Sequence, residues 1–69
     1  MNKYLMMEIV ENIKEYADEL KNKESLNDVE YGTLLGYAEV LTIIKDVHAG
    51  YNVEEIGLDF DIDKRYLLE

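Results

Sequence analysis

The sequence predicts an all-α chain: a long antiparallel helical hairpin with a short C-terminal extended or helical arm, assembled as a dimer. Three observations point there. Residues 2–23 and 27–50 each carry apolar side chains at alternating steps of three and four, the spacing of one helical face. No proline interrupts either stretch. Only residues 22–27, NKESLN, separate them, and so short a connection folds two helices back on one another.

In the first helix, predicted over residues 3–23, Asn2 supplies the N-cap. Met6, Ile9, Ile13, Tyr16 and Leu20 form the stripe, widened by Val10 and Ala17. Glu8, Glu11, Lys14, Glu15, Asp18 and Lys21 face the other way, and Glu19 with Lys23 makes an i, i+4 pair. Either Ser25 with Asp28 or Asn27 with Glu30 fits a capping box at the start of the second helix, predicted over 27–49. Gly50 is placed to end it in the left-handed conformation.

The second helix is apolar over more of its circumference than one partner helix covers. Leu34, Tyr37, Leu41, Ile44 and His48 form the stripe expected to meet the first helix, extended by Val40, Val47 and Tyr51. A different face holds Gly32, Gly36 and Ile43, and Leu35 lies apart on another flank. Each glycine costs a helix interior ~1 kcal/mol relative to alanine. Two small residues one turn apart let another backbone come close. Gly32, Leu35, Gly36 and Ile43 are therefore the predicted oligomer interface, with a crossing against the C-terminal segment as the alternative use of the glycines.

In the arm, residues 51–69, Asn52 is placed to cap a single helical turn that Gly57 would end. Leu58, Phe60 and Ile62 then alternate with Asp59, Asp61 and Asp63, a period-two pattern that suggests an extended segment with one buried side. Tyr66, Leu67 and Leu68 are placed to dock as a last helical turn. The whole chain of 69 residues reads as one domain without repeat or linker. A chain this short needs reinforcement, and with no cysteine for disulfides, oligomerisation or tight helix packing is what remains.

The charge bounds the function. Sixteen acidic residues against seven basic give a net charge of −9. A phosphate backbone repels such a chain, which disfavours direct nucleic-acid binding, whereas a basic protein surface attracts it. Solubility alone is the competing explanation. The acidity concentrates in the last two-thirds of the chain, and Glu54, Glu55, Asp59, Asp61 and Asp63 are the predicted partner-binding acids, read as a strip spaced like phosphates. No run approaches the about 18–20 apolar residues of a membrane span. Glu8 and Glu11 break any signal-peptide core, so the expected location is the cytoplasm.

Motifs for chemistry are few. Asp59, Asp61 and Asp63 match the first ligands of a calcium loop, but Lys64 stands where that loop needs glycine and the chain stops before its glutamate. His48 is the single histidine, without a second ligand at zinc spacing or a nucleophile at reach. No cofactor and no metal are expected, and no enzyme. Ser25 suits a cap. Of six tyrosines, Tyr16 and Tyr37 read as core, while Tyr4, Tyr31, Tyr51 and Tyr66 are left over, Tyr31, Tyr51 and Tyr66 being candidates for an interface. A third reading is a small ligand enclosed between protomers near Tyr31, Tyr37 or His48. The second helix has only Lys45, too little for a DNA-reading helix. Residues 52–61 are similar to the opening of a helix-turn-helix, without the helix that should follow.

Small size, absence of cysteine, a helical hairpin, and the acids Glu54, Glu55, Asp59, Asp61 and Asp63 together give a chain that resembles the small acidic proteins of prophages and mobile elements. Among these it is similar to anti-CRISPR inhibitors and other DNA-mimic anti-defence proteins. That resemblance implies a protein of the host-cell cytoplasm that blocks a nucleic-acid-binding enzyme by occupying its basic site. It carries over no site residues. The expected function is thus a non-enzymatic inhibitor or modulator, and the alternative is a homo-oligomeric structural or adaptor protein acting through apolar helix faces.

Overall fold

The computed structural model describes residues 2–47 and 52–67. It contains two long helices, α1 over Lys3–Lys21 and α2 over Asp28–Val47, and a short α3 over Ile62–Tyr66. The long pair packs as a hairpin, and α3 packs on both, chiefly on α2. No strand occurs among the described residues. His48, Gly50, Tyr51 and Leu68, with the predicted end of α2, lie outside the described residues.

Local chemistry sets the ends. Asn2 Oδ1 accepts the Leu5 amide at 2.9 Å and starts α1. At the start of α2 the capping box belongs to Asn27 and Glu30: Asn27 Oδ1 accepts the Glu30 amide at 2.8 Å, and Glu30 Oε1 accepts the Asn27 amide at 3.2 Å. Glu30 also binds Lys23, which therefore does not serve the expected pair with Glu19. Lys23 lies beyond the end of α1, where the Asn22 amide bonds back to Asp18, so the i, i+4 geometry is lost. The Lys23 side-chain bond, and then the Asn27 amide, hold the Glu30 carboxyl below its usual range.

The hairpin seam is rotated from the expected one. Val10 and Ala17 are the fully buried residues of α1, with Met6, Ile13 and Leu20 beside them. Ile9 and Tyr16, both expected inside, are 38% and 54% exposed. The apolar arc of α1 is wider than the face α2 covers, and the small Val10 and Ala17 take the centre. Tyr16 still stacks on Tyr37 at the rim, rings 6.0 Å apart. From α2 the core takes Leu34, Ala38 and Leu41, while Tyr37 and Ile44 stand at its edge.

The arm is not an extended strap but a third wall. Residues 53–57 form a turn: Asn52 O accepts the Glu55 and Ile56 amides, and Gly57 closes it at φ +81, where the Leu58 amide returns to Val53 O. Asp61 Oδ1 then accepts the Lys64 amide at 3.0 Å and caps α3. Leu58 and Ile62 are buried and Asp59, Asp61 and Asp63 exposed, so the in–out alternation holds although the backbone is a turn leading into a helix. Ile56, Leu58, Ile62 and Tyr66 all join Val10, Ala17, Leu34, Ala38 and Leu41 in one core. The arm thus covers what the hairpin leaves bare.

Four cations pin the arm. Lys3 meets Glu55 at 2.9 Å, Lys14 donates to Gly57 O at 3.1 Å, Lys45 donates to Phe60 O, and Arg65 reaches both Asp18 oxygens at 3.0 Å. Phe60 lies under two of them, with Lys14 Nζ 5.5 Å and Arg65 Cζ 4.9 Å from its ring centre.

Candidate functional site

Two contiguous grooves run along the junction of α2 and the arm. The first, an open groove of about 420 Å³, is lined by Thr42, Lys45, Asp46, Asp59, Phe60, Asp61, Ile62 and Asp63. Its rim carries four carboxylates and one ammonium, and Lys45 is already committed to the Phe60 carbonyl. The second, about 350 Å³, shares Thr42 and Asp63 with the first and adds Glu39, Ile43 and Leu67. Ile43 and Leu67 give it an apolar floor, and Glu39 and Asp63 stand on its edges.

Three of the five predicted acids therefore come together. Asp59, Asp61 and Asp63 line one groove, but not as a straight strip, because the chain turns into α3 at Asp61. Asp61 spends one oxygen on its cap, an ordinary structural use. Among the described residues no group of three or more potential ligands is arranged to hold a metal ion. Glu55 belongs elsewhere: it is turned to Lys3 at the start of α1, and that bond holds its carboxyl below the usual range. Glu54 is exposed on the same turn. Asp46 and Glu39 were missed. They lie one heptad apart on α2, a spacing visible in the sequence, but only the folded arm sets them beside the later acids.

Of the predicted oligomer residues, Gly32, Gly36 and Ile43 are on the outer side of α2 and Leu35 is on its flank. Gly32 and Ile43 are exposed, Gly36 and Leu35 half-buried. A Cβ built at Gly32 or Gly36 meets nothing within 4 Å, so neither glycine serves a crossing with the arm. With them stand Val29, 78% exposed, Val40, and Val47, 66% exposed.

The tyrosines divide differently from the expectation. Tyr66 is sealed in the core, and its hydroxyl is buried with no hydrogen-bond partner. Tyr31 and Tyr37 border separate open grooves, and His48 lies outside the described residues. The structure does place a helix after the 53–57 turn, but α3 is a five-residue helix whose Arg65 is bound to Asp18.

No helix among the described residues is long and apolar enough to cross a membrane. Comparison with protein-family models, curated proteins and solved structures finds no match to the chain.

Proposed function

We propose that this chain is a non-catalytic protein-binding inhibitor or modulator, whose acidic groove engages the basic, nucleic-acid-binding surface of a partner in the manner of anti-CRISPR and DNA-mimic anti-defence proteins. One observation carries the reading. Lys3, Lys14, Lys23, Lys45 and Arg65 are each bonded to another group of the chain. Asp46, Asp59 and Asp63 border a groove and make no ion pair among the described residues. The field over this groove is therefore acidic, and concave walls focus such a field.

The test is the triple variant Asp59→Asn, Asp61→Asn, Asp63→Asn. Asparagine caps a helix as well as aspartate does, so α3 survives. Partner binding should fall about tenfold or more, with an unchanged circular-dichroism spectrum. Full binding by a folded triple variant would sink the proposal.

A second reading is self-assembly through the outer face of α2, favoured by the open space over Gly32 and Gly36 and by exposed Ile43. Sedimentation of the wild type beside Ile43→Asp and Gly36→Leu decides it: a monomer at high concentration removes this reading.

A further inference from the structure

The outer face of α2 is built as a second seam. Val29, Gly32, Gly36, Val40, Ile43 and Val47 follow one another at steps of three, four, four, three and four. That is the repeat by which one helix receives another. The stripe lies on the side of α2 opposite the buried Leu34, Ala38 and Leu41. It spans about 27 Å at 1.5 Å per residue, five helical turns. Its middle is open, because apart from the helix's own backbone and the adjoining residues nothing lies within 4 Å of where either glycine Cβ would be.

One edge of the seam is acidic. Asp28, Glu39 and Asp46 fall within a narrow arc beside it on the helix surface. Asp63 extends that edge across the second groove, where Ile43 and Leu67 form the floor. None of these four acids has an ion pair among the described residues. The only cation of α2, Lys45, is bonded to Phe60 O on another side.

We infer that this seam docks a cationic amphipathic helix of the partner protein, about five turns long, with apolar residues over the two glycines and Lys or Arg along the Asp28–Glu39–Asp46 edge. The inference rests on the basic-partner reading above and says what the partner's surface contains. A second copy of this chain fits less well. Packed antiparallel about a twofold axis, it would set the acidic edge against itself. A phosphate-binding surface without apolar residues leaves Val29, Ile43 and Val47 in water. An anionic membrane repels the edge.

The probe is a fluorescein-labelled synthetic helix of about twenty residues, leucines on one face and lysines along one edge. The control has the same composition permuted so that no face remains. Anisotropy against the full chain should show the patterned peptide binding roughly tenfold tighter than the control, with affinity falling at high salt. Ile43→Asp adds a negative charge at an exposed position and leaves the core alone. It should nevertheless weaken the patterned peptide roughly tenfold, and Gly36→Leu, which fills the open middle, should do the same. If both peptides bind alike and Ile43→Asp binds as tightly as the wild type, charge alone is at work: the seam inference is overturned and the basic-partner reading stands. Binding of neither peptide overturns the inference too, and the Asn triple variant against the native partner then judges the wider reading separately. Self-association abolished by Ile43→Asp would assign the seam to a second copy and overturn the inference.

Discussion

Tyr66 is the largest side chain sealed in the core, yet its hydroxyl makes no hydrogen bond of good geometry, the Asp18 carboxylate being close enough only to act on it weakly. An unsatisfied buried hydroxyl costs ~1–3 kcal/mol. Tyr66→Phe removes that group and keeps the ring edge-on to Phe60, so it should raise stability by about 1 kcal/mol, read as a higher urea midpoint with an unchanged m-value. Burial, opposed by Arg65 and reinforced by Asp18, pushes the phenol up to about 12 from 10.0. Between those values the unfolded chain has lost the proton and the folded chain keeps it. The unfolded state then binds fewer protons, so stability falls as pH rises from 10.0 to about 12 and levels off beyond. Tyr66→Phe should flatten that alkaline limb; an identical limb in the variant would place the loss elsewhere. Tyr66 was legible in the sequence as a docking residue of the last turn but not as the centre of the core. Nothing local says that Ile62 and Tyr66, one turn apart, would be drawn under Leu34 and Leu41.

The three glycines described in the structure separate into two kinds at the level of the elements. Gly32 and Gly36 are ordinary helical positions with open space above them, and alanine at either should stabilise α2 by ~0.5–1 kcal/mol. Gly57 closes the arm's turn at φ +81, and an added Cβ there would lie 3.2 Å from Glu11 Oε1 and 3.3 Å from Lys14 Nζ. Gly57→Ala should cost about 1–2 kcal/mol, so thermal melts of the three variants should move in opposite directions. Equal destabilisation at all three would contradict the open outer face. The local signals were the readable ones: Asn2, Asn27 with Glu30, and Asn52 with Gly57 mark element ends through neighbours three or four residues away. The rotation of α1 was not readable, because Met6, Ile9, Val10, Ile13, Tyr16, Ala17 and Leu20 form an arc too wide to choose its own centre. The arm settles that choice, and its helix was hidden because Asp61, an N-cap, also completes an alternating pattern. Leu58 and Ile62 point inward in either conformation.

Across the whole molecule, about 36 Å long, the basic residues hold the fold and the acidic ones face out. Lys3, Lys14, Lys45 and Arg65 each cross from the hairpin to the arm or from the arm to the hairpin, so these cations are paired within the chain while the net charge is −9. The site was half legible for the same reason. Asp59, Asp61 and Asp63 are neighbours in sequence, but Asp46 and Glu39 join them only through the packing of the arm on α2, and Glu55 leaves them for Lys3. The most direct test of the acidic groove is competition on a captured partner. The tagged chain is incubated with nuclease-treated host lysate, the retained protein is identified by mass spectrometry, and duplex DNA or salt is then titrated in. A nucleic-acid-binding protein should be retained by the wild type, released by DNA and by salt, and lost with the Asp59, Asp61, Asp63 to Asn variant. A partner held equally by that variant and not displaced by DNA would contradict the groove as the binding site.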